Sequence, residues 1–261
     1  MSRQDDLRRI TEALVEAEKA LEPFTPGAIE ATKKAGGSPV TDADLAVNAV
    51  LERILPQQGE GWLSEETRDD PSRLEKSRCW IVDPVDGTKE FVQGIPEWCV
   101  SIGLVEDGKP VAGGVCVPSR DLMIVGSLET GTTCNGEPAR VRELDSLDGL
   151  EVLASRSEVK RGEWEVFQNG PFEVVPMGSV ALKFALVAAG LADATWTLVP
   201  KNEWDVAAGV AMILAGGGAV WLPDGSAPTF NRADTLYPGL LAAPAKLRGP
   251  IEAFLAEHVE G

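Results

Sequence analysis

Trp80-Ile81-Val82-Asp83-Pro84-Val85-Asp86-Gly87-Thr88-Lys89-Glu90-Phe91 is the stretch on which the fold turns. Its first three residues are a short apolar run, and Asp83-Pro84 stops it, because proline lacks the N–H that a strand ladder needs. The reading is a strand that ends here and delivers Asp83 to a loop. Asp83 and Asp86 flank the proline, which turns two carboxylates toward one point and frees the carbonyls between them. Mg²⁺ suits such groups: it takes oxygen ligands, keeps waters and commonly pairs with substrate phosphate. Gly87 adds no bulk, so the Gly87 and Thr88 amides are open to an anion.

Working outward, residues 4–21 set Leu7, Ile10, Leu14, Ala17 and Leu21 on one face, which predicts an amphipathic helix. Gly, Ser and Pro punctuate 36–39. Thr41-Asp42-Ala43-Asp44 then has the form of a capping box ahead of Val47, Val50, Leu51, Ile54 and Leu55, so a second helix starts there. Downstream, strand-like runs at 99–105, 111–117 and 122–127 are separated by Asp107-Gly108 and Pro118-Ser119, which predicts antiparallel hairpins. From Leu150 short strands (152–154, 173–176, 194–198, 219–222, 240–243) alternate with helices (158–168, 180–189, 205–215, 250–258). Two sheet-containing lobes with helices layered on them fit this better than a βα barrel, whose alternating units the hairpins interrupt. The expected division is an N-terminal α+β lobe over 1–148 and a C-terminal α/β lobe over 149–261, joined in one compact unit.

The 261 residues carry 24 Lys plus Arg against 41 Asp plus Glu, a net charge of −17, with one histidine. A hydrophobic fraction of 44% with 25% charged residues describes a globular chain and not a disordered one. So acidic a surface disfavours nucleic-acid polymers and anionic membranes. The apolar stretch 206–220 is Gly-rich and short of the roughly 20 residues a spanning helix needs. The charged N-terminus lacks an apolar signal core, which makes the cytoplasm the default address. Cys79, Cys99, Cys116 and Cys134 form no C-x-x-C pair and read as reduced thiols, mostly buried. His258, near the C-terminus, reads as a solvated helix end, which excludes Ser-His-Asp, Cys-His and H-E-x-x-H chemistry. Oligomeric state is not fixed by the sequence, and a homodimer stays open.

The segment 80–91 resembles the first signature of the inositol monophosphatase superfamily of Mg²⁺-dependent, lithium-sensitive phosphatases, and Glu203-Trp-Asp-Val-Ala-Ala-Gly209 resembles the second. Ser38-Pro-Val-Thr-Asp-Ala-Asp44, Ser64-Glu-Glu66 and Gly178-Ser-Val-Ala-Leu-Lys183 extend the match in the family's order. The resemblance implies the layered αβαβα sandwich of the inositol monophosphatase and fructose-1,6-bisphosphatase type. It implies that Glu65, Asp83, Asp86, Asp205 and the Val85 carbonyl bind two or three Mg²⁺ ions. Asp44 with the Thr88 hydroxyl would orient or deprotonate the attacking water. The Gly87 and Thr88 amides would hold phosphate oxygens, and Gly178, Ser179, Lys183 and Asp205 would contact a small phosphorylated substrate. Taken alone, Asp44 and Asp205 also read as plain helix caps.

Lys89-Glu90 and Pro200-Lys-Asn-Glu-Trp-Asp205 resemble the branch that removes the 3′-phosphate of adenosine 3′,5′-bisphosphate, giving AMP and phosphate. Leu198 stands seven residues before Asp205, where inositol phosphatases carry an acid for a sugar hydroxyl, and this points away from inositol. On the other side, Glu158 in Ser155-Arg-Ser-Glu158 replaces a histidine common in the nucleotidases. Arg156, Lys183 and Lys201 are candidate partners for a second phosphate. The alternatives are an inositol-1-phosphate or sugar phosphatase and, in another class, a non-catalytic module that binds cations or phospholigands.

Overall fold

The computed structural model describes residues 2–33 and 39–259; positions 36–38 of the expected punctuation lie outside them. Helix α1 (Arg3–Leu21) begins at a capping box on Ser2 and Asp5. A two-residue antiparallel pair, β1 (Thr32–Lys33) and β2 (Pro39–Val40), leads to α2 (Asp42–Ile54), capped by Thr41 as expected. The chain continues through β3 (Gly61–Ser64), β4 (Arg78–Asp86), α3 (Thr88–Gln93), β5 (Cys99–Glu106), β6 (Lys109–Val117), β7 (Leu122–Ser127), β8 (Gly131–Cys134) and β9 (Glu137–Ala139). These seven strands form one sheet in sequence order, with β3 parallel to β4 and every later pair antiparallel.

The second half contains β10 (Glu151–Ser155), α4 (Arg156–Lys160), β11 (Glu173–Met177), α5 (Val180–Ala188), β12 (Ala194–Thr197), β13 (Lys201–Asn202), α6 (Glu203–Ala215), β14 (Gly218–Trp221), β15 (Leu236–Tyr237), β16 (Leu240–Pro244) and α7 (Arg248–Val259). Its five-stranded sheet has the order β11-β10-β12-β16-β14, while β13 and β15 pair separately. Parallel pairing links β11, β10 and β12, which need crossovers, and α5 supplies the one between β11 and β12.

Strand alternation distributes the chain into five layers. Trp80 and Val82 of β4 face one way, onto Ile10 and Leu14 of α1 and Val47 and Leu51 of α2. Ile81 faces the other, into a core shared with Phe184 of α5, Val210 of α6 and Leu240 of the second sheet. The far side of that second sheet packs Trp196 and Trp221 against Trp164, Phe167 and Ile251. The molecule is therefore an α+β protein layered αβαβα. Both faces of β4 are buried, which is why its apolar run is continuous; each large side chain so buried contributes about 1.5–3 kcal/mol. Helix α6 lies close on β6 because Gly113 has no side chain: a Cβ there would meet the Ala208 carbonyl at 2.5 Å.

Three expectations need correction. Strand β4 does not stop at Asp83-Pro84 but runs to Asp86, with a register shift against β5 between those two acids. A bulge is where a sheet tolerates proline, since the residue there owes the ladder no N–H. The helix expected over 158–168 is the short α4 and a 3₁₀ turn at Glu165–Phe167, parted by Gly162 at φ +81°. Helix α6 starts at Glu203, so Asp205 is its third residue and not its cap. Cys79, Cys99 and Cys116 are buried, Cys134 is partly so, and all four are free. No helix among the described residues is long and apolar enough to cross a membrane.

Candidate active site

The acids singled out in the sequence converge where the two halves meet. Glu65 follows β3, and its position is set by a polar knot: Ser64 Oγ donates to Asn48 Oδ1 at 2.6 Å and accepts from the Glu66 amide at 3.2 Å. Asp83 and Asp86 bracket the β4 bulge. Asp205 arrives from the other half at the start of α6. Glu65, Asp83 and Asp205 each offer a carboxylate oxygen, and these three atoms lie within 4.8 Å of one another.

Asp44 and Asp205 are built alike. Each is the third residue of its helix, and each spends Oδ2 on the amide of the preceding cap residue, Thr41 N at 2.8 Å and Asn202 N at 2.8 Å. Each is thus the N3 partner of a capping box whose caps are Thr41 and Asn202. This leaves each residue a second oxygen. For Asp44 that oxygen, Oδ1, accepts from the Thr88 hydroxyl at 3.0 Å, and the same hydroxyl lies 3.0 Å from the Val85 carbonyl. Thr88 opens α3 behind Gly87, whose φ of +96° suits glycine alone and where a Cβ would sit 2.7 Å from the Glu97 carbonyl.

Asp86 is clamped from the second half of the chain. Its Oδ2 accepts from Ser179 Oγ and from the Ala181 amide, both at 2.6 Å, so the N-terminus of α5 holds this carboxylate. Ser179 itself stands at φ +57°, a conformation costly for a residue with a Cβ. Gly178 and Ser179, expected to face substrate, do line the cavity, but their donors are already engaged: the Gly178 amide donates to Glu97 Oε2 at 2.7 Å.

The electrostatics follow from acids gathered without cations. Burial pushes Asp83 well up, and Glu65, Asp86 and Asp205 push it further. Burial, then Asp86, carries Asp205 up to about 8. Asp86 is raised by burial and partly relieved by Ser179, Ala181 and Lys183. For Asp44, burial raises the carboxyl while hydrogen bonds from Thr41 and Thr88 pull it back. Hard carboxylate oxygens in mutual repulsion are the donor set a small divalent cation neutralises, so the residues present fit Mg²⁺.

A cavity of about 380 Å³ is lined by Glu65, Asp86, Thr88 and Asp205, but not by the buried Asp44 and Asp83, and also by Arg156, Arg161, Lys183 and Lys201. Arg156 pairs with Glu97 at 2.6 Å and Lys201 with Glu158 at 3.0 Å, while Lys183 is buried beneath Ser179. Glu158 is no free cavity acid: it also accepts from Thr197 Oγ1 at 2.7 Å and Trp164 Nε1 at 3.2 Å. Leu198 does not line this cavity and packs against the third core, so its apolar character follows from packing. Glu97 escapes sequence reading altogether. An acid beside Trp98 looks like any solvated loop residue, and only the fold sets it on Gly178 and Arg156.

Comparison with known proteins agrees with this arrangement. The family model described as the inositol monophosphatase family matches residues 6–260. The chain is 36% identical over 202 residues to the 3′(2′),5′-bisphosphate nucleotidase CysQ of Escherichia coli K12, covering 74% of this chain and 79% of that protein. It is 32% identical over 237 residues to inositol monophosphatase 2 of Solanum lycopersicum, covering 79% and 89%. Among solved structures, the Thermotoga maritima IMPase superposes with a TM-score of 0.82 at 26% identity, covering 98% of each chain. The bulged strand with its paired aspartates, the acid brought in by α6 and a family match across nearly the whole chain together establish that this chain belongs to the inositol monophosphatase family of phosphoric monoester hydrolases.

Proposed function

We propose that the protein is a Mg²⁺-dependent phosphatase that removes the 3′-phosphate of adenosine 3′,5′-bisphosphate. The observation that carries this reading is the mixed charge of one cavity, lined both by acids of the cluster, Glu65, Asp86 and Asp205, and by Arg156, Arg161 and Lys201, a lining suited to a substrate with a second phosphate. Arg156 and Lys201 are paired with carboxylates, but Arg156 keeps 41% of its side chain exposed, and partly exposed pairs of this kind are weak enough to exchange partners. The 36% identity to the E. coli nucleotidase supports the same choice. A second reading, an inositol or sugar phosphatase, is supported by the tomato inositol monophosphatase, which aligns over more of the chain.

In this mechanism Glu65, Asp83, Asp86, Asp205 and the Val85 carbonyl would hold the metal. When bound, Mg²⁺ supplies positive charge for the phosphoryl oxygens and lowers the pKa of coordinated water. The Thr88 hydroxyl, which lines the cavity, accepts the proton of the attacking water while passing its own to Asp44 Oδ1, as the water oxygen bonds to phosphorus and the ester P–O bond breaks. Burial of Asp44 raises its affinity for that proton. The Gly87 and Thr88 amides hold phosphoryl oxygens through the in-line displacement, the departing ribose oxygen takes a proton from a solvent water, and Asp44 returns its own proton to solvent. The same chemistry makes Li⁺ an expected inhibitor, as the family resemblance implies.

The test is phosphate release from adenosine 3′,5′-bisphosphate, inositol 1-phosphate and fructose 1,6-bisphosphate, with and without Mg²⁺. The nucleotide should give the highest kcat/KM, and only with Mg²⁺. Turnover of inositol 1-phosphate with none of the nucleotide would overturn the assignment.

A further inference from the structure

Two charged side chains in the cavity, Lys183 and Glu90, make no hydrogen bond or salt bridge to another side chain among the described residues, and they flank a single glycine. Lys183 is only 3% exposed; its Nζ donates to the Ser179 carbonyl at 2.7 Å and reaches the Met177 carbonyl at 3.5 Å. Among the described residues no carboxylate lies within 4.0 Å of that ammonium, and two carbonyls use at most two of its three protons. Glu90 is half-buried, no other described residue makes a hydrogen bond or salt bridge to its carboxylate, and burial raises its pKa while Lys183 pulls it back. The Glu90 side chain lies against Gly178 so closely that a Cβ there would fall 2.4 Å from Cγ and 2.8 Å from Oε1. Glu90 thus abuts Gly178 itself while Lys183 grips the carbonyls of the residues on either side of it. Both line the cavity that Glu65, Asp86 and Asp205 also line.

Of the other cations that line the cavity, the exposed Lys89 has no carboxylate of the described residues within salt-bridge distance either, but the rest differ. Arg156, Lys201 and Arg161 each have a carboxylate partner, Glu97, Glu158 and Glu163 respectively. An anion arriving at Lys183 would gain the ammonium but face Glu90, and before that the carboxylates of the metal site. A cation would face the reverse. A group that donates and accepts at once satisfies both, giving its hydrogen to the Glu90 carboxylate and receiving one from the Lys183 ammonium.

We infer that Glu90 and Lys183 form a specificity subsite for a substrate hydroxyl that neighbours the phosphoester. The inference rests on reading the cavity as the phosphomonoester site and names what that site demands beyond a phosphate: a ribose or polyol ester in preference to a simple alkyl one. Gly178 is part of the device, since any side chain at that position would displace Glu90. For a nucleoside 3′,5′-bisphosphate the group recognised is the 2′-hydroxyl. A site that commits charged groups to a hydroxyl rejects the analogue lacking it, because those groups are then buried unpaired.

The experiment compares kcat/KM for adenosine 3′,5′-bisphosphate and for its 2′-deoxy analogue at saturating Mg²⁺. The wild type should prefer the ribonucleotide by about tenfold or more. Glu90→Ala and Lys183→Met should each collapse that preference to within about threefold, mainly through KM, and Glu90→Gln, which keeps an acceptor, should retain part of it. Equal turnover of the two nucleotides by the wild type, or an undiminished preference in Glu90→Ala, would overturn the inference. Thermal melts with Mg²⁺ identify a misfolded variant, and if Lys183→Met proves to be one, Glu90→Ala decides alone. Failure of the nucleotide assignment looks different: neither nucleotide turns over. The same ratio is then taken between inositol 1-phosphate and cyclohexyl phosphate, and its persistence in Glu90→Ala would again overturn the inference.

Discussion

The two ends of strand β4 carry two charge clusters that solve opposite problems. At its start Arg78 donates to Asp6 at 2.6 Å and to Glu60 at 3.0 Å and also pairs with Glu106. Arg9 holds Glu60 at 2.8 Å, Arg3 holds Glu106 at 2.6 Å, and Trp80 Nε1 donates to Glu60 at 2.8 Å. Three arginines face three acids. Burial would raise Glu60, but hydrogen bonds from Arg9, Trp80 and Arg78 overcome it and bring the carboxyl down to about 2. At the other end of the same strand, Asp83 and Asp86 meet Glu65 and Asp205 with no arginine among them, and Asp205 rises to about 8. Matched charge tethers α1 and the β3–β4 segment to the sheet; unmatched charge is what a bound cation would neutralise. The difference separates structure from function along a nine-residue strand.

The largest effect should come from breaking the unmatched end. Asp86→Asn is expected to lower kcat on the order of a thousandfold, about 4 kcal/mol of transition-state stabilisation, while the metal-free protein melts no lower than the wild type. Steady-state kinetics beside a thermal melt checks both halves. Unchanged activity would remove Asp86 from the site, and would reopen the possibility of a non-catalytic binding module.

Breaking the matched end should do the converse. Arg78→Leu leaves Asp6 and Glu60 partly unpaired, at a cost of about 3 kcal/mol and a fall of about 10 °C in Tm, with kcat altered by no more than about twofold. A loss of activity without a loss of stability would mean that the two ends are not separable in this way.

The smallest effect, and the one that sharpens the contrast, is the pH dependence of stability. Asp205 in the folded, metal-free protein keeps a proton that the unfolded chain releases above its ordinary 3.8, so its contribution to stability declines as pH rises toward about 8. Glu60 has the opposite sign: its contribution is full above 4.5 and is lost as pH falls toward about 2. In chelator the Tm should therefore peak in weak acid and drop by a few degrees, roughly 3–5 °C, toward pH 8, and Mg²⁺ should abolish that drop. A metal-free Tm that climbs from pH 5 to 8 would contradict the raised acid cluster.

Much of the fold is legible in the sequence. The capping box at Thr41, the hairpins from Cys99 onward and, apart from the broken helix over 158–168 and the earlier start of α6, the alternation of helices and strands after Leu150 follow from patterns local to a few residues. Pro84 shows where such reasoning errs. A proline ends a regular ladder, but β4 absorbs it in a bulge against β5, and a bulge depends on the neighbouring strand. Strands β3, β8 and β9, three or four residues each, are too short to show periodicity and exist because the sheet's edges pair them.

For the site, the sequence by itself determined the chemistry. With one histidine and an Asp-Pro-Val-Asp-Gly-Thr core, the groups on offer are oxygen donors that would suit a hard cation, whatever the fold. Which donors are free was decided only by the tertiary structure. Ser179 and Gly178 look available in the sequence and are engaged with Asp86 and Glu97; Leu198 looks like a lost substrate contact and faces a different core; Glu90 and Lys183, 93 residues apart, become neighbours across one glycine. The physical reason is that a residue's type fixes what it can donate or accept, whereas its partners, its burial and the field around it belong to the packed chain.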